Sequence, residues 1–191
     1  MQHRLHAMQK LRGFTLIEVL VTIAIVAILV RLAAPSFKSM IQSNTMSSNV
    51  NSFLADVRYA RSEAIKRGGN VVMCRSDAPE ATSPACGSGS GPGTNGWVSG
   101  WFIFHDLDKS NGWNSGEPIL RVQGPITAMD AISAASATNK LLFKATGRLP
   151  LSSADTFTFG GSNYANTAQR VVCVNVGGYA RISGDGYASC P

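Results

Sequence analysis

Two hydrophobic patterns divide the chain. From Phe14 to Ala34 the run is apolar except for scattered polar residues, and only Glu18 and Arg31 are charged. Its 21 residues match the roughly 20 that a helix needs to cross a hydrocarbon core. Farther on, Ile41, Met46, Val50, Phe53, Leu54, Val57, Ala60, Ala64 and Ile65 recur at three- or four-residue steps, which predicts a helix with one apolar stripe. Asp56, Arg58, Arg61, Glu63, Lys66 and Arg67 are then expected on a solvated or subunit-facing surface. Gly68, Gly69 and Asn70 are stop signals. Two features oppose an unbroken helix. The Ser/Asn/Thr run at residues 43–52 is poor helix material, and Pro35 lacks an N–H and is expected to interrupt or kink the chain where membrane gives way to water.

Beyond residue 70 the pattern changes to short apolar runs between glycines and polar turns. Strands are expected at 70–74, 98–105, 118–123, 140–145, 155–160, 170–176 and 179–183. Residues 83–96 and 134–139 are expected to be connections. The fold class is α+β: a helix, hydrophobic over 14–34 and amphipathic over 35–69, packed on an antiparallel β-sheet head over 70–191. No repeat of fixed period and no second linker divides the head.

Charge sets the orientation. Residues 1–13 hold Arg4, Lys10 and Arg12 and no acid, so this end is expected to stay cytoplasmic and the head to lie outside. An ordinary secretory signal cut near "RLAAPS" fits neither the length of the run nor Glu18. A plain anchor leaves Glu18 unexplained, since a carboxylate in lipid costs on the order of 3 kcal/mol on the mildest insertion scale.

The stretch "GFTLIEVLV" resembles the class III signal of type IV pilins and type II secretion pseudopilins: a glycine, a phenylalanine and, four residues later, a glutamate. The resemblance implies that residues 1–13 are a leader removed by a prepilin peptidase between Gly13 and Phe14. The new Phe14 amine would then be methylated. It also implies that Glu18 pairs with the terminal ammonium of a neighbouring subunit as helices bundle in a filament. Opposite charges attract far more strongly in a low-dielectric interior than in water. "LLFKATGRLP" and the ending "DGYASCP" resemble the minor-pilin branch that holds the H pseudopilin, FimT and FimU.

The full chain of 191 residues carries a formal charge of +6, but without the leader 14 basic residues stand against 11 acidic ones. The remaining 178 residues suffice for one anchor helix and one head. A net +3 does not by itself imply a nucleic-acid partner.

The cysteines Cys74, Cys86, Cys173 and Cys190 all fall in the exported region, where an even number suggests disulfides. Three pairings are open. The sequence-local ones, Cys74–Cys86 and Cys173–Cys190, are favoured, each closing a loop on the order of 15 residues worth roughly 3 kcal/mol. Neither pair has zinc-ligand spacing, and His105 is the sole exported histidine.

In "HDLDKSNGWNSGE", Asp106, Asp108, Ser110 and Glu117 occupy positions 1, 3, 5 and 12 of a calcium-loop pattern. Asn111 replaces the turn glycine and the flanks read as strands, so a tight Asx-rich turn accounts for the same residues without an ion. No metal and no cofactor are expected. Neither is an enzyme: no nucleophile motif accompanies His105, and "GSGSGPG" lacks the Lys-Ser/Thr of a phosphate loop.

FimT-like relatives are associated with DNA uptake through a Gly-Arg-x-Arg pattern. The corresponding stretch here is Gly178 to Arg181, with Tyr179 where the first arginine would be. Tyr179 and Arg181 are the candidate DNA contacts, against their reading as ordinary positions of a terminal strand. The resemblance thus implies a minor type IV pilin in pilus assembly. The alternatives are a DNA-binding competence pilin and an H-type pseudopilin of type II secretion. The implied partners are the prepilin peptidase, other major and minor pilins or pseudopilins, the inner-membrane assembly platform and, for the competence reading, DNA. The implied location is the inner membrane with the head in the periplasm, then the filament at the cell surface.

Overall fold

The computed structural model describes residues 13–87, 96–127, 129–150 and 152–190, without the side chains of 33–36 and 38. The basic residues of the leader, and 88–95 of the expected long loop, lie outside the described residues. The chain forms two compact units, Met1–Ile41 and Gln42–Pro191.

Helix α1 covers Leu16–Arg67. The expected interruption at Pro35 is not found: the helical span includes it. A proline removes one N–H, but its fixed φ is itself helical, and the good helix formers Leu32, Ala33 and Ala34 precede it. The run at 43–52 is helical as well. In the first unit, the described apolar side chains from Phe14 to Leu32 are exposed.

In the second unit α1 ends as its glycines demand. Gly68 has φ +78, and the Gly69 N–H donates to Ala64 O at 2.7 Å, the six-to-one bond of a Schellman cap. Among the described residues eight strands follow: β1 Val71–Arg75, β2 Trp101–His105, β3 Ile119–Gln123, β4 Ala131–Ala134, β5 Lys140–Phe143, β6 Asp155–Gly160, β7 Arg170–Val174 and β8 Ala180–Gly184. They form two antiparallel sheets, ordered β3-β2-β1-β5 and β4-β6-β7-β8. Strand β4 occupies sequence expected partly as connection. Its "AISA" carries one large apolar residue, Ile132, so the β-propensity signal is weak, and pairing with β6 supplies what propensity does not. The expected strand at 98–105 begins only at Trp101, because Trp97–Ser99 is a 3₁₀ turn.

One core joins Met46, Val50, Phe53, Leu54, Val57, Ala60 and Ala64 of α1 to the inner faces of both sheets. Phe53 stands at its centre, within 5.0 to 5.9 Å of the rings of Phe157, Phe159, Trp101 and Trp97. Ile41 and Ile65, expected in the stripe, are exposed. The outer face of the first sheet is covered too. Val72, Cys74, Phe102 and Phe104 pack with Cys86, Trp113 and Leu142, which explains why all five residues of β1 are buried. The disulfides Cys74–Cys86 and Cys173–Cys190 are formed, each with Cα atoms 5.5 Å apart. Every residue of both apolar clusters and both disulfides lie within Gln42–Pro191, so this unit holds a complete core of its own.

Candidate functional site

Three regions bear on function. At the start of α1, Thr15 Oγ1 accepts the Glu18 N–H at 3.3 Å, and Glu18 is the acid of the first turn. This is half of a Thr-x-x-Glu capping box, and a negative charge here also suits the positive end of the helix dipole. Glu18 therefore has a local role as well as the one its family resemblance implies. Phe14, Glu18, Val19 and Thr22 line a common surface hollow, so the carboxylate stands beside the residue that would carry the new terminus. Among the described residues no helix is long and apolar enough to cross a membrane. The crossing expected over 14–34 is therefore not established.

The second region is the turn from Asp106 to Glu117. Ligand-capable oxygens of Asp106, Asp108 and Glu117 lie within 4.8 Å of one another. Every one of the six carboxylate oxygens already accepts a hydrogen bond. Asp106 takes the N–H groups of Ser110 and Asn111 at 3.2 and 2.9 Å. Asp108 takes the Ser110 N–H and the Asn114 amide at 2.9 and 2.8 Å. Glu117 takes the Leu107 and Asn114 N–H groups at 2.7 and 2.9 Å. Burial pushes the Asp106 carboxyl up, whereas the Ser110 N–H holds Asp108 below its usual value. Asn111 supplies the left-handed turn with φ 61, so its replacement of glycine does not disturb the loop. Backbone N–H groups and the Asn114 side-chain amide thus hold these acids in an Asx-rich turn.

The third region is the β7–β8 connection. The Gly178 N–H donates to Asn175 O at 2.9 Å, and Asn175 and Tyr179 bond across the turn. Gly178 has φ +76, and a Cβ there would lie 2.0 Å from Gly147 O. Tyr179 is exposed, but its ring is engaged: the Arg61 guanidinium lies 4.0 Å from the ring centroid while Arg61 Nε donates to Gly177 O at 3.1 Å. The structure brings Arg61 to Tyr179. Arg181 stands opposite Cys173 on β8, exposed.

Two acids of α1 also differ from the expected wet face. Asp56 is buried, accepting a 2.7 Å hydrogen bond from Trp101 Nε1. Arg121 Nε lies 2.9 Å from its other oxygen, an ion pair off the line of a hydrogen bond. Glu63 is buried against Arg67, whose hydrogen bond holds its carboxyl low. A helix stripe shows only which positions recur, and the partners of Asp56 come from β2 and β3, whereas that of Glu63 is one turn along α1.

Residues 49–178 match the family model described as Type II transport protein GspH. The chain belongs to this family. The GspH match takes in the helix end and most of the head, and residues 8–30 separately match the prokaryotic N-terminal methylation motif. No curated protein matches the chain. In fold, it is similar to the type IV minor pilin FimU of Pseudomonas aeruginosa in two crystal forms. One is 21% identical with a TM-score of 0.56 and covers 76% of this chain and 93% of that one. The other is 20% identical with a TM-score of 0.51 and covers 75% and 96%. At these identities the likeness is one of fold. The GspH-family chain therefore has the α+β minor-pilin architecture, a helix against antiparallel sheets.

Proposed function

We propose that this chain is a minor type IV pilin that takes part in pilus assembly. A prepilin peptidase cuts between Gly13 and Phe14, and the Phe14 amine is methylated. Before assembly the subunit sits in the inner membrane with its head in the periplasm, and it then enters the filament through α1. Glu18 neutralises a neighbour's terminal ammonium, and the disulfide-stapled head remains outside, near the tip. The observation that carries this reading is the methylation motif over residues 8–30, joined to a helix whose described apolar side chains up to Leu32 are exposed and whose first turn carries Glu18 beside Phe14. Glu18→Ala is expected to leave cleavage largely intact and to remove the subunit from sheared filaments. Recovery of the variant in filaments at the normal level would overturn the assignment.

A second reading, an H-type pseudopilin of type II secretion, is supported by the description of the matching family. Deletion separates the two: loss of pili points to the pilus, and loss of enzyme secretion with pili intact points to the secretion system. The DNA-uptake reading draws less support, since Arg61 already occupies the Tyr179 ring and Arg181 is left as its one open contact.

A further inference from the structure

A cavity of about 210 Å³ lies between the start of β1, the end of β5 and the 106–111 turn. Val72, Leu142, Phe143 and Pro150 give it apolar walls, and Lys109 and Lys144 line it with them. Neither lysine ammonium has a hydrogen-bond or ion-pair partner among the described residues. The cavity's own acid, Asp106, accepts the Ser110 and Asn111 N–H groups and pairs with neither lysine, so the lining holds two ammonium groups against one carboxyl. Of the four described non-glycine residues with left-handed backbone, three line this cavity: Asn70 at φ 55, Lys109 at φ 62 and Asn111 at φ 61. Asparagine tolerates that region cheaply, but lysine does not, and such strain collects where a ligand is clamped.

We propose that this cavity receives the side-chain carboxylate of an Asp or Glu carried on an apolar loop of another filament subunit. The lysines pair with the carboxylate, and the aliphatic walls take the flanking apolar side chains. The apolar walls decide the class of partner. A nucleic-acid backbone would offer charge to the lysines but no aliphatic group to the walls. The inference rests on the filament reading, which has its own test in Glu18.

The experiment titrates the isotopically labelled Gln42–Pro191 unit with N-acetyl-Leu-Glu-Leu-amide and follows the backbone amides by NMR. The expected result is saturable shifts at Asn70, Lys109, Asn111, Leu142 and Lys144. Binding should weaken roughly fivefold, as expected for the loss of two ion pairs made by exposed lysines, when the peptide carries Gln in place of Glu or the protein carries Lys109→Asn and Lys144→Gln. Asparagine keeps the left-handed backbone at 109, so an unchanged spectrum elsewhere shows that the variant is folded. Equal binding of the Gln peptide, shifts outside the cavity, no shifts at all, or tighter engagement of the same amides by an oligonucleotide would each overturn the proposal. If the cavity fails while filament entry still depends on Glu18, only this inference falls. If Glu18 proves dispensable, the filament reading falls whatever the peptide does.

Discussion

The Trp101 indole donates to Asp56 Oδ2 at 2.7 Å, tying a carboxylate of α1 to β2, a middle strand of the first sheet, inside an aromatic core. Trp101→Phe keeps most of the ring volume and removes the donor. The variant is expected to lose about 1–3 kcal/mol, the cost of leaving a buried acceptor unsatisfied. Urea unfolding of the Gln42–Pro191 unit measures it.

Asp56 also sets a pH dependence. Burial raises its pKa above the ordinary 3.8, against the smaller opposing effects of Trp101 and Arg121. The folded chain therefore takes up a proton at a pH where the unfolded chain does not. Its contribution to stability becomes more favourable as pH falls through the folded-state pKa, and levels off below 3.8. Asp56→Asn lacks this component. The difference in unfolding free energy, wild type minus variant, should thus grow in favour of the wild type from neutral pH toward pH about 4. A flat difference would place the carboxylate in a wetter site than the structure does.

Gly178→Ala should be costly for two reasons that act together. The backbone is left-handed there, and the new methyl would meet Gly147 O at 2.0 Å. A loss of about 2 kcal/mol or more is expected, well beyond the usual glycine-to-alanine penalty at a positive φ. Thermal melting of the variant, with Gly177→Ala as the neighbouring control, reads this directly.

Arg61→Ala removes both the contact over Tyr179 and the hydrogen bond to Gly177 O. The expected loss is about 1–3 kcal/mol, with the β7–β8 turn as the first element to open. Hydrogen exchange at Gly178 and Tyr179 should quicken before the rest of β8 does. Uniform quickening would show that Arg61 supports the whole sheet instead.

Replacing Cys173 and Cys190 with alanine frees the last residues from β7. Sequence separation 17 predicts a loss of roughly 3 kcal/mol in the chain-entropy model. The C-terminal tail should become the first site of proteolytic nicking, and an unchanged nicking pattern would mean that β8 pairing alone holds it.

Local chemistry made much of this protein legible in its sequence. The apolar run, the Gly-Phe-x-x-x-Glu signal, the Schellman glycines and most of the strands are written in contiguous residues. Thr15 could have been read as well, because Thr-x-x-Glu is a capping signal within one helical turn. The α1 stripe placed Phe53 and Val57 inward because helical spacing alone determines which residues share a face. Tertiary structure decided the rest. Asp56 and Glu63 carry charges on α1 as Arg58 does, and only the approach of Trp101 on β2 and Arg121 on β3 gives the buried Asp56 its partners. Strand β4 exists because β6 pairs with it. Tyr179 lost its standing as an open contact because Arg61, more than a hundred residues earlier, lies over its ring. These outcomes depend on contacts between residues far apart in the chain, whose meeting is set by how two sheets and a helix close on one core, and no local pattern encodes that meeting.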